Sequence, residues 1–112
     1  MAASLFVIEH STGPAWRAGT PYPAQPGIEG HMAFMRSLHD RGILVIGGPF
    51  TDAVGDRPVG MAIVRAETTE AAEALAAEDA SVAAGLIRYH VRPWMVPMGT
   101  ALEQLQPVRG RT

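Results

Sequence analysis

Residues 28–49 read IEGHMAFMRSLHDRGILVIGGP, and the fold turns on this stretch. Its apolar side chains Ile28, Met32, Phe34, Met35 and Leu38 recur at three- and four-residue steps, with Glu29, Arg36 and Asp40 on other faces, which is the spacing of an amphipathic helix. Gly42 stops that helix. Ile43 to Ile46 is a compact, largely β-branched run that ends at Gly47, Gly48 and Pro49 and reads as a strand.

Upstream, Leu5 to Glu9 is rich in strand formers and ends at His10. Gly13, Pro14, Gly19, Pro21, Pro23, Pro26 and Gly27 then forbid regular structure until Ile28, which predicts one strand followed by a long loop. Downstream, a turn-rich segment from Thr51 to Arg57 leads into Val59 to Val64, a second strand paired as a hairpin with Ile43 to Ile46. Thr68 and Thr69 are N-cap candidates ahead of an alanine-rich run of helix formers, which predicts a helix to about Glu78 with Asp79 to Gly85 turning the chain. Leu86 to Val96 is the last strand, with Ile87, Tyr89 and Val91 on one side and Arg88, His90 and Arg92 on the other. Pro93 and Pro97 suit a sheet edge. Thr100 to Glu103 carries a capping-box pattern for a short terminal helix.

The order strand, helix, strand, strand, helix, strand predicts an α+β, ferredoxin-like βαββαβ fold with an antiparallel sheet and both helices on one face. It occupies residues 1–98, with 99–112 as a tail. With 112 residues the chain fills one core and no more. Hydrophobic residues make up 47% and charged ones 18%, and the strands are apolar at odd and even positions alike, so the second sheet face is expected to be covered by another subunit in a homodimer.

The net charge is -2 and the nine cations are all arginines spread along the chain, which leaves no basic field for nucleic acid. Without cysteine or lysine there is no disulfide, thiolate centre or side-chain Schiff base. No apolar run approaches the roughly 20 residues that cross a bilayer, and no basic residue precedes the short run Leu5 to Ile8, so no membrane partner and a cytoplasmic location are expected.

In this topology the first helix begins, and the second ends, at the same end of the sheet, which brings His31 and Asp79 together. His31 lies in a helix's first turn, and Asp79 near a helix C-terminus, where a carboxylate is disfavoured. Within hydrogen-bond reach, Asp79 would orient the imidazole and His31 would move a proton on a bound small molecule. Periodicity alone favours His31 as a polar cap over the core and Asp79 as a helix end. Gly47, Gly48 and Pro49 emerge at the same end and let a ligand approach the backbone closely. Phe34, Ser81 and Trp16 complete the expected substrate-binding set, Trp16 acting with Tyr22 from the long loop. His10, His31 and Asp79, with Glu9, are the residues a metal would use, but no close-spaced ligand pair exists and no metal is expected. Arg88, His90 and Arg92 form a basic stripe suited to salt bridges. No Gly-x-Gly-x-x-Gly, Walker or nucleophile-elbow pattern is present, so the chemistry is expected to need no cofactor.

The segments Gly30 to Leu38 and Gly42 to Phe50, followed by Glu70 to Ala72, Asp79 to Val82, Gly85-Leu86 and Val91 to Trp94, resemble in that order the YCII-related family. The resemblance covers roughly Leu5 to Met98. It implies a dimeric α+β barrel and a cavity with a functional His–Asp pair, here His31 and Asp79. Relatives include a dehydrochlorinase acting on chlorinated hydroquinones, and muconolactone isomerase shares the wider fold. Ala80 stands where the family usually has proline, and the loop Ser11 to Gly27 is longer than in the shortest members, which suggests a substrate lid. The expected function is a cofactor-independent lyase or isomerase; the alternative is a non-catalytic metabolite-binding or regulatory dimer.

Overall fold

In a computed structural model of the chain, residues 4–52 and 57–99 are described. The expected terminal helix from Thr100, and part of the turn before β3, lie outside them. The elements are β1 (Ser4–Thr12), α1 (Ile28–Asp40), β2 (Leu44–Pro49), β3 (Gly60–Ala66), α2 (Thr69–Ala76), α3 (Ala80–Ala83) and β4 (Ile87–Trp94), with one 3-10 turn at Tyr22–Ala24. The four strands form one antiparallel sheet in the order β2-β3-β1-β4, the ferredoxin-like arrangement expected from the sequence.

The helices cover one face. Along β1 the alternation places Phe6, Ile8 and His10 inward, and α1 turns Ile28, His31, Phe34 and Leu38 toward them. With Ala62 and Val64 of β3, Ala72 and Ala76 of α2 and Val91 of β4, the side chains of Phe6, Ile8, Phe34 and Leu38 make the main core. Burying each large side chain contributes about 1.5–3 kcal/mol, enough to fix the helix against the sheet. A smaller cluster of Ile28, Val59, Leu86 and Ile87 lies under the long loop, with Trp16 and Tyr22 packed on it.

Several elements end differently from the sequence reading, β2 among them, which continues through Gly47, Gly48 and Pro49 paired with β3. β1 runs on past His10 to Thr12, because Ser11 and Thr12 still pair with β4. The second helix stops at Ala76, and Asp79 caps a separate four-residue helix, accepting the Ser81 N–H at 2.9 Å. Thr68 caps α2 as expected, accepting from the Ala71 N–H at 3.0 Å.

β2 carries a bulge. Leu44 pairs with Val64 but Ile46 pairs with Ile63, so Val45 is an extra residue and the alternation slips by one. Ile46 therefore faces away from the helices and is exposed, while Gly47, opposite Ala62, faces α1. On the outer sheet face Leu5, Val7 and Met61 are half-buried and Trp94 is exposed. Arg92 reaches Glu9 of the same chain at 3.7 Å, so part of the expected basic stripe is neutralised internally. Among the described residues no helix is long and apolar enough to cross a membrane.

Candidate active site

Three elements deliver three titratable side chains to one end of the sheet. β1 supplies His10, the first turn of α1 supplies His31, and the cap of α3 supplies Asp79, each at most 4% exposed. His31 Nδ1 donates to Asp79 Oδ2 across 2.6 Å. The other carboxylate oxygen, Oδ1, accepts from the Ser81 N–H at 2.9 Å and the Ser81 hydroxyl at 2.8 Å. Burial alone would raise the Asp79 pKa. The hydrogen bonds from His31 and from the Ser81 hydroxyl, the charge of His31 and the Ser81 N–H outweigh burial and hold the carboxyl below its ordinary range. An ionised Asp79 fixes the imidazole proton on Nδ1 and leaves Nε2 as the nitrogen that can take or give a proton.

The sequence reading placed Asp79 at a helix C-terminus, where the dipole disfavours its charge. The structure reverses this. At the N-cap of α3 the carboxylate meets free N–H groups, and its charge is favoured.

Aromatic rings surround the pair. His10 stands edge-on to His31, with centroids 4.7 Å apart, and Tyr22 and Phe34 lie at 6.3 and 6.2 Å. Burial, then repulsion from His31, holds His10 down to about 4 against the opposing pull of Asp79, so it is neutral at physiological pH. Burial and the Asp79 charge push Tyr22 up to about 12, which keeps its phenol protonated.

A cavity of about 320 Å³ opens beside the rings. His10, His31, Tyr22 and Met35 line it, with Gly47, Gly48 and Pro49 of β2 forming one wall and Arg36 and His39 of α1 also lining it. A Cβ on Gly47 would come within 3.0 Å of Met35 Cε and of the Met61 carbonyl, so glycine keeps that wall thin.

The remaining expected residues sit close by without facing this space. Phe34 is buried against His31 and His10. Ser81 gives both its donors to Asp79. Trp16 packs against Tyr22 at 5.9 Å and lines a neighbouring crevice. The long loop expected as a lid is tied down: the Gly13 and Ala15 N–H groups bond Leu86 and Gly85 carbonyls at 2.8 and 2.9 Å. The buried Gln25 side chain donates to the Arg17 and Thr20 carbonyls and accepts the Arg17 N–H. Tyr22 thereby becomes part of a built wall. The sequence reading named His10 only as a metal-ligand candidate; the β1 alternation, carried two residues past Ile8, was the signal that it points inward. His10, His31 and Asp79 do offer ligand atoms within 4.8 Å of one another, but a cation there would compete with the contacts Asp79 already makes.

A family model described as the YCII-related domain matches residues 5–95. No curated protein sequence matches the chain. Among solved structures, the chain is similar to 5-chloro-2-hydroxyhydroquinone dehydrochlorinase (TftG) from Burkholderia phenoliruptrix AC1100, in complex with 2,5-dihydroxybenzoquinone. The TM-score is 0.58 at 23% identity, over 81% of this chain and 93% of that one. At that identity the likeness speaks for the fold.

Proposed function

We propose that this chain, which belongs to the YCII-related family, is a cofactor-independent enzyme of lyase or isomerase type, in which His31 moves a proton on a small cyclic substrate and Asp79 orients it. The observation that carries this reading is the 2.6 Å contact between His31 Nδ1 and Asp79 Oδ2 beside a ligand-sized cavity. With Nδ1 committed to the carboxylate, Nε2 takes a proton from an acidic substrate C–H or O–H, and Asp79 stabilises the imidazolium that results. The freed electron pair then either expels a leaving group from the adjacent carbon, giving elimination, or shifts so that the proton returns at another atom, giving isomerisation.

Gly47, Gly48 and Pro49 contact the substrate and Phe34 backs the imidazole. Ser81 acts through Asp79, and Trp16 acts through Tyr22. The dehydrochlorinase activity named for the similar solved structure is an elimination, which agrees with this class. The working form is a cytoplasmic homodimer closed over the outer sheet face, where Leu5, Val7, Met61 and Trp94 gather.

The test is solvent deuterium incorporation. Cyclic ketones and enol lactones with an acidic C–H are incubated with the protein in D2O and followed by NMR. Exchange is expected with the wild type and lost with a folded His31→Gln variant. Equal exchange by both overturns the reading, and saturable binding with no exchange by either identifies a binding module.

A further inference from the structure

Position 10 is a costly place for an imidazole. Phe6 and Ile8 face the same way along β1 and are hydrocarbons, yet the third inward residue is His10, 2% exposed. Among the described residues its Nε2 is a buried side-chain nitrogen with no hydrogen-bond partner. A buried polar group left in that state destabilises the fold, and a ligand supplying the missing bond would recover that loss. The same ring lines the cavity beside His31.

We infer that His10 is a recognition residue of this cavity and that it binds the hydroxyl of a single-ring anion whose acid group points to Arg36 and His39. The ligand chemistry follows from the surroundings. A neutral imidazole carries one N–H and one lone pair, and a hydroxyl, which both gives and accepts a proton, satisfies either tautomer. The cavity, at about 320 Å³ and walled largely by carbon, has room for one substituted ring. Arg36 and His39 stand one helical turn apart on α1, and Arg36 has no ion-pair partner among the described residues. A guanidinium without a partner beside an apolar cavity selects a carboxylate or phenolate.

The inference deepens the proposed activity, resting on the same cavity, but its test needs no turnover. Calorimetric titration of the full chain compares 4-hydroxybenzoate with benzoate, which lacks the hydroxyl, and with 4-hydroxybenzamide, which lacks the charge. Wild type is expected to prefer 4-hydroxybenzoate about tenfold over benzoate, the equivalent of one good hydrogen bond, and about fivefold over the amide. His10→Phe erases the first preference and Arg36→Gln the second. If His10→Phe fails to fold, the wild-type ligand series still decides, together with the 15N resonance of His10 Nε2, which moves with 4-hydroxybenzoate and stays still with benzoate. Equal affinity for all three ligands, or none at millimolar concentration, overturns the assignment. Deuterium exchange that survives His31→Gln would overturn the catalytic reading and leave this one standing.

Discussion

His10 makes the fold itself sensitive to acid. Its pKa is 6.5 in an ordinary setting and about 4 in the folded chain, where burial is the main cause, His31 adds to it, and Asp79 opposes it. Between those two values the unfolded chain binds a proton that the folded chain refuses, so stability is complete above about pH 6.5 and falls as the pH drops toward about 4. At about 1.4 kcal/mol per pH unit, a pKa drawn down to about 4 removes about 3 kcal/mol. That is a large share of the roughly 5–15 kcal/mol that holds a domain together. Asp79 acts in a lower window: its depressed carboxyl contributes stability above the ordinary carboxylate range and loses it as the pH falls through the folded value. The two effects therefore separate on the pH axis. Urea unfolding followed by circular dichroism, at one protein concentration and from neutral pH down to about pH 4, measures the slope for wild type and for His10→Phe. The variant is expected to lose about 3 kcal/mol less over that range, whatever its stability at neutral pH. Parallel curves would refute the claim that His10 is held neutral by its surroundings.

Asp79→Asn turns an NH2 either toward the Ser81 donors or toward His31, which can accept it only by moving its proton to Nε2; a loss of about 1–2 kcal/mol, read as a melting temperature lower by roughly 5–10 °C, is expected. Exchange or turnover on any accepted substrate should fall at least about a hundredfold, checked on the folded fraction. Gly13→Ala drives a Cβ into the Gly85 carbonyl oxygen, a backbone atom, so soluble yield and thermal stability should collapse. Gly48→Ala, where a Cβ meets nothing within 4 Å among the described residues, should melt like wild type in the same assay. Thr68→Ala removes the α2 cap and should cost about 1 kcal/mol in denaturant unfolding.

The sheet order and both long helices were legible because periodicity and caps carry them. Ile28, Phe34 and Leu38 mark one helical stripe, and Thr68 announces α2. The His31–Asp79 approach was legible from topology, since elements of opposite direction must meet at one end of the sheet. What escaped was set by backbone pairing and short-range geometry. Gly47, Gly48 and Pro49 belong to β2 because their backbones pair with β3, which needs no side-chain pattern. Four residues are too few to show a helical period, so the sequence predicts a turn where α3 forms and sets Asp79 at the opposite end of a helix dipole. The inward aim of His10 depended on β1 continuing past it, which Ser11 and Thr12 do not advertise. Tyr22 and Trp16 looked equivalent in the loop, and the Gln25 hydrogen bonds are part of what separates them.

The extra residue at Val45 has a meaning for how such chains diversify. Were strict alternation kept from Leu44 onward, the branched side chain of Ile46 would point at α1, where even a Cβ on Gly47 would press on Met35 and the Met61 carbonyl. The one-residue slip thus lets Met35 pack directly on the β2 backbone beside the cavity, with the core composition untouched. Loss of a single residue from β2 would restore the alternation and set a branched side chain, in place of a glycine, against α1.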